Sequence, residues 1–234
     1  MNHLLNEEQF PAGFLPAWFE ARRRHALEQA EQLPEPSRHM ESWRFGAPGN
    51  ESLEHVEAAP PAALETLAPI IRERASMTEA FRIVYANGLP VSIPEELPEG
   101  LSVMDMEDFV LQCPDTARKY LETETETLGS EKLSALATAF QHNGLVIMAD
   151  REISLPLEIL HFISGDNVAV FPSTLLIAET GSRLRILERH ISADHGRQFC
   201  GALQQYHLSS ASSVKMTVRN CTEHTASGKI SFHV

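Results

Sequence analysis

After Gly144 the sequence carries six histidines, His161, His190, His195, His207, His224 and His233, a residue type able to bind metal or move protons. A histidine-based metal-binding β-barrel, or an enzyme built on one, would need three or four of them to converge with a carboxylate. No His-x-His pair occurs, and the histidines fall at strand ends and turns as often as on strands. Each is therefore read as a satisfied surface or half-buried side chain, and the metal-binding barrel stays as the alternative. The three cysteines, Cys113, Cys200 and Cys221, are odd in number and show no Cys-x-x-Cys spacing, so reduced thiols are expected rather than a disulfide framework. Cys200 and Cys221 lie 21 residues apart, about one coil of a β-solenoid, which would stack them. Such a pair could handle sulfur or metal, but two small buried hydrophobes account for it more simply.

Other chemistry is excluded by pattern. The approach to a phosphate-binding loop at Gly228-Lys229 has Glu223 where the first glycine belongs, and no Gly-x-Gly-x-x-Gly, Gly-x-Ser-x-Gly or His-Glu-x-x-His occurs. His55-Val56-Glu57 matches half of a zinc deaminase signature, with no Pro-Cys-x-x-Cys to complete it. The basic residues Arg183, Arg185, Arg189, Arg197, Lys215 and Arg219 have acidic neighbours and read as a solvated sheet face. No catalytic or metal-binding residue is assigned, and cofactor-binding residues stay undetermined.

The formal net charge of −13 is unevenly placed. Residues 141–234 hold eight acidic and eight basic side chains, so the first 140 carry the remaining 24 acidic and 11 basic ones and the whole imbalance. An acidic surface repels phosphate backbones, so no nucleic-acid partner is expected. No apolar run is long enough to span a membrane, and the start MNHLLNEEQF lacks the basic end and apolar core of an export signal. A cytoplasmic protein without a membrane partner is expected, which leaves the sequons at Asn50 and Asn220 without meaning.

Elements must position whatever chemistry there is. An amphipathic helix is expected over 14–31, with Phe14, Leu15, Trp18, Phe19, Arg22, Ala26 and Leu27 at helical spacing, ended by Leu33-Pro34-Glu35-Pro36. Further helices are expected at 62–75, 105–112, 115–127 and 130–142, the last with Ser130 as N-cap and Asn143-Gly144 as C-cap. Within 81–93, Asn87-Gly88 between two apolar runs predicts a tight hairpin. After Gly144 the period changes to short strands at 145–148, 157–163, 174–179, 183–190, 199–208, 214–220 and 230–234. Many short strands at near-regular spacing imply a sandwich, a barrel or a β-solenoid. The last strand runs to Val234 with no cap, so either another chain covers that edge or the polypeptide is cut short.

The stretch from Leu33 to Phe45 resembles a segment of the SufB/SufD family of iron–sulfur cluster assembly proteins, through Leu33-Pro34, Arg38, Glu41, Trp43, Arg44 and Phe45. An extra residue after Leu-Pro, and Gly46 where threonine is usual, depart from the SufD pattern. Arg82-Ile83-Val84-Tyr85-Ala86-Asn87-Gly88 is similar to the family's hairpin. Pro156-Leu157-Glu158-Ile159-Leu160-His161 and Gly181-Ser182-Arg183-Leu184-Arg185-Ile186-Leu187-Glu188 are similar to segments of its β-helix. The tryptophan segment points to the SufD branch.

The resemblance implies an α+β fold. A mostly helical N-terminal domain with a small hairpin (1–144) would precede a partial right-handed parallel β-helix (145–234). Trp43 and Phe45 would anchor the first part on the second. It implies a non-catalytic scaffold subunit of the SufBCD complex, paired with a SufB-type paralogue. A SufC-type ATPase would dock through a C-terminal region that has no counterpart here. An iron–sulfur cluster would be handled by the assembled complex. Family members are much longer, so truncation is the expected reason for the uncapped last strand.

Overall fold

A computed structural model describes residues 5–10, 15–44, 56–62, 64–75, 79–122, 131–141, 143–221 and 230–233. Among them are five α-helices: α1 (Ala17–Gln32), α2 (Leu64–Arg74), α3 (Met106–Gln112), α4 (Pro114–Leu121) and α5 (Glu131–Ala139). The first strands are β1 (Glu57–Ala58), β2 (Phe81–Ala86), β3 (Leu89–Ser92) and β4 (Leu101–Asp105). Then follow β5 (Leu145–Ala149), β6 (Leu157–Ile163), β7 (Val168–Val170) and β8 (Ser173–Ala178). Last come β9 (Arg183–Ser192), β10 (Gln198–Leu208), β11 (Ser213–Cys221) and β12 (Ile230–His233). No helix among the described residues is long and apolar enough to cross a membrane.

The architecture is mixed α/β with two mixed sheets. One sheet runs β1-β7-β10-β8-β5-β4 with β12 also on β10, the other β11-β9-β6-β2-β3. From β5 onward the chain passes back and forth between the two sheets, and the neighbours it forms are parallel. The two antiparallel pairs are β2 with β3 and β4 with β5. Side chains from both sheets meet in an apolar core that includes Ile83, Ile147, Leu157, Ile159, Leu176, Leu184 and Ile186. Burying each such aliphatic side chain stabilises the fold by about 1.5–3 kcal/mol.

The strands expected after Gly144 all appear, with ends shifted by a residue or two. Missed were β1, β4 and β7, of which β1 and β7 are only two and three residues long, too short to show a period. The hairpin forms where Asn87 (φ 49°) and Gly88 (φ 81°) take the positive angles a tight turn needs. Its first strand joins the second sheet beside β6.

Helix α1 ends at Gln32, before Pro34. Its buried face comprises Phe19, Arg23, Ala26, Leu27 and Ala30, spaced by three and four residues. Arg23 replaces the Arg22 expected on that face. It is fully buried because its Nε donates to the Ala139 carbonyl and its guanidinium meets Glu20. Ala26, Leu27 and Ala30 pack with α5, with Phe199 and Leu203 of the first sheet and with Phe171 in the link between β7 and β8, and Trp43 is buried in the same cluster. Phe45, Phe14 and the Ser130 cap lie outside the described residues.

Gly144 is not the left-handed cap that Asn143-Gly144 suggested, since its φ is not positive. A Cβ there would come within 2.1 Å of the Ser173 hydroxyl oxygen, so glycine is required by the close approach of β8.

Candidate functional site

Strand alternation puts Leu184, Ile186, Glu188 and His190 of β9 on one face, toward the space between the sheets. The first two continue the apolar core and the next two break it. Registration aligns Tyr85 of β2 with His161 of β6, and His161 with His190 of β9. Three rings therefore stand side by side across three strands. The two imidazoles are stacked, centroids 4.9 Å apart and planes 7° from parallel, and Tyr85 leans on His161 with centroids 5.4 Å apart.

Glu188, buried like both histidines, brings Oε1 to 3.1 Å from Nε2 of His190 and 3.3 Å from Nε2 of His161. Its Oε2 accepts from the Gln204 side chain at 2.8 Å, and the Gln204 oxygen accepts from the Tyr206 hydroxyl at 2.7 Å. On the far side of His190, Nδ1 lies 3.6 Å from the sulfur of Cys200. A polar chain thus runs from Tyr206, 41% exposed, through Gln204, Glu188 and His190 to Cys200, 4% exposed.

Burial disfavours charge on every one of these groups, and the partners decide which keeps it. For His190, burial alone would lower the pKa, but the Cys200 sulfur and the Glu188 carboxylate outweigh it and hold the imidazole up to about 10. Burial wins at His161 and lowers it, against the opposing pull of Glu188. Burial would also raise the Glu188 carboxyl, yet the two histidines hold it well below the usual carboxylate range. One carboxylate supports one imidazolium, and the neighbouring stacked ring stays neutral.

Of the six histidines that the sequence singled out, those whose side chains are described include one pair brought together, His161 and His190. His207 packs on the Tyr120 ring at 4.7 Å, His195 is exposed in the β9–β10 loop, and His224 lies outside the described residues. Nor do Cys200 and Cys221 stack. Cys200 is registered with Val170 and Ser231 in one sheet, and Cys221 with Ile191 in the other. Sequence reasoning missed Glu188 and Gln204. The signal available was the inward face of β9 turning from Leu184 and Ile186 to Glu188 and His190 without leaving the strand.

Sulfur and carboxylate approach His190 from opposite ring nitrogens, so they do not share a centre. Among the described residues no group of three or more His, Cys, Asp or Glu side chains is arranged to hold a metal ion. What the arrangement offers is a thiol beside an imidazolium that is oriented by a carboxylate, the order of groups used to prepare a sulfur nucleophile.

No family model matches the chain. Over 187 residues, 76% of its length, it is 25% identical to the iron–sulfur cluster assembly protein SufD of Bacillus subtilis (strain 168). The chain resembles SufD. The matched stretch is 42% of the length of that SufD, so the chain spans less than half of the curated relative it matches. The likeness supports a distant relationship to the SufB/SufD family and suggests a role in iron–sulfur cluster assembly.

Proposed function

We propose that the chain is a SufD-like scaffold subunit in iron–sulfur cluster assembly, cytoplasmic and non-catalytic on its own. The observation that carries this is the likeness to SufD, which extends over three quarters of the chain. Parallel strands alternating between two sheets agree with a partial right-handed parallel β-helix over 145–234, preceded by a mostly helical part over 1–144. The buried anchor at Trp43 lies in the segment whose residues resemble the SufD branch and agrees with that reading. In this role the chain pairs with a SufB-type paralogue and works with a SufC-type ATPase, so that nucleotide hydrolysis happens in another subunit. The cluster is cargo of the assembly.

Affinity purification of the protein from its native cell tests this. SufB-type and SufC-type subunits are expected in the eluate at comparable amounts. Recovery of the bait without either of them overturns the proposal.

A further inference from the structure

Cys200 sits where a packing residue would serve as well, since its inward neighbours include Ile163 and Val170. Its sulfur nevertheless faces Nδ1 of His190 at 3.6 Å, and the other nitrogen of that ring is 3.1 Å from the Glu188 carboxylate. Placing a carboxylate, two imidazoles and a thiol in a space otherwise lined by Leu184, Ile186 and Ile159 costs desolvation that an apolar set would not incur. His161 adds a second, independent sign. It is 3% exposed, and its Nδ1 is buried with no hydrogen-bond partner, an orphaned polar atom beside the thiol–imidazole pair.

We propose that Cys200 is a site of oxidative modification, at which His190, oriented by Glu188, prepares the thiol to react with a small peroxide. The proposal concerns these side chains and does not depend on the scaffold reading. A peroxide is the fitting class of reactant because it is uncharged and scarcely larger than water, and Cys200 is only 4% exposed. Its reduction also leaves a hydroxide that needs a proton. In the step, Sγ attacks one peroxide oxygen, the S–O bond forms and the O–O bond breaks. Sulfur is oxidised to the sulfenic acid and the peroxide is reduced to water. The thiol proton has passed to Nδ1 of His190 before the attack, and the leaving hydroxide takes it from there, so water leaves and the imidazole ends neutral. Its two flanking partners hold His190 as a cation against the opposing effect of burial, an electropositive setting beside the sulfur of the kind that activates thiols.

The internal control is Cys113, half-buried at the start of α4 and therefore more accessible than Cys200. Accessibility alone predicts faster oxidation of Cys113; activation by His190 predicts the reverse. The full chain would be exposed to hydrogen peroxide at pH 7 with a dimedone trap, and the adducts on the two cysteine peptides timed by mass spectrometry. Adduct at Cys200 is expected about tenfold faster than at Cys113 in the folded protein, and equally fast in urea. His190→Gln, checked for folding by circular dichroism, should remove the advantage, and Glu188→Gln should reduce it. Labelling of Cys200 no faster than Cys113 in the folded wild type overturns the proposal without recourse to any variant. A folded His190→Gln protein that labels at the wild-type rate overturns it as well.

Discussion

Glu158 and Glu188 lie on neighbouring strands of one sheet, one row apart in register, and both are completely buried. They point to opposite faces and are answered by different cations. On the outer face, beneath α2, Glu158 meets Arg82 at 2.8 Å and Arg189 at 3.8 Å, and Arg189 also donates to the Arg74 carbonyl. On the inner face Glu188 meets His161 and His190. A guanidinium keeps its charge and cannot escape burial by releasing a proton, whereas an imidazole can. The outer cluster is therefore a fixed structural lock. The inner cluster is adjustable, because its charge depends on whether one proton stays.

The largest difference between the two should come from removing each carboxylate charge without changing its shape. Glu158→Gln leaves Arg82 and Arg189 charged on the covered face, at an expected cost of about 3 kcal/mol. Arg82 is one-third exposed, so the cost falls at the low end for broken buried pairs. Urea unfolding at pH 6, 7.5 and 9 should give the same loss at each. A loss that varied with pH across that range would show that the outer cluster titrates, and the contrast would collapse.

Glu188→Gln should behave differently. The imidazolium of His190 has its pKa held up to about 10 in the fold, above its ordinary 6.5. Its stabilisation is thus fully present below pH 6.5 and is lost as pH rises through about 10. Without the carboxylate, Cys200 alone opposes burial, the His190 pKa falls back, and much of this contribution goes. The variant should fall about 2 kcal/mol below wild type at pH 6 and about half of that at pH 9. A deficit that stayed constant from pH 6 to 9 would mean that the carboxylate does not hold the proton.

The two clusters were unequally visible in the sequence. Strand positions were legible wherever a run was long enough to show its period, so β6, β9 and β11 could be placed from the sequence, but not their register. That the alternation turns His161 and His190 to one side was legible in the same way. Their partner was not, because Glu188 reads as one more acidic residue until registration sets it against both rings. Arg82 and Arg189 were hidden for the same reason, since ion pairs across strands have no sequence spacing. Gly144 misled because Asn-Gly after a helix is a common cap, while the requirement here came from Ser173, far along the chain.

The smallest effect sharpens the comparison most. Burial lowers the pKa of His161 below its ordinary 6.5, so as pH falls the unfolded chain binds this proton before the folded one does. Stability must then decline as pH drops below 6.5, by up to about 1.4 kcal/mol per pH unit for one proton. Glu188 adds its own decline, but only on acidification below its ordinary 4.5, because its carboxyl is held lower in the fold. The window from 6.5 to 4.5 is thus where His161 can be read apart from its partner. His161→Phe keeps a flat ring against Tyr85 and His190 and removes the titration. Its unfolding free energy should fall less steeply across that window than wild type, by at most one proton's slope. Glu158→Gln measured alongside should keep the full wild-type slope, since it leaves His161 in place. Equal slopes for His161→Phe and wild type would mean that His161 is already charged in the fold, with Glu188 serving two cations as Glu158 does.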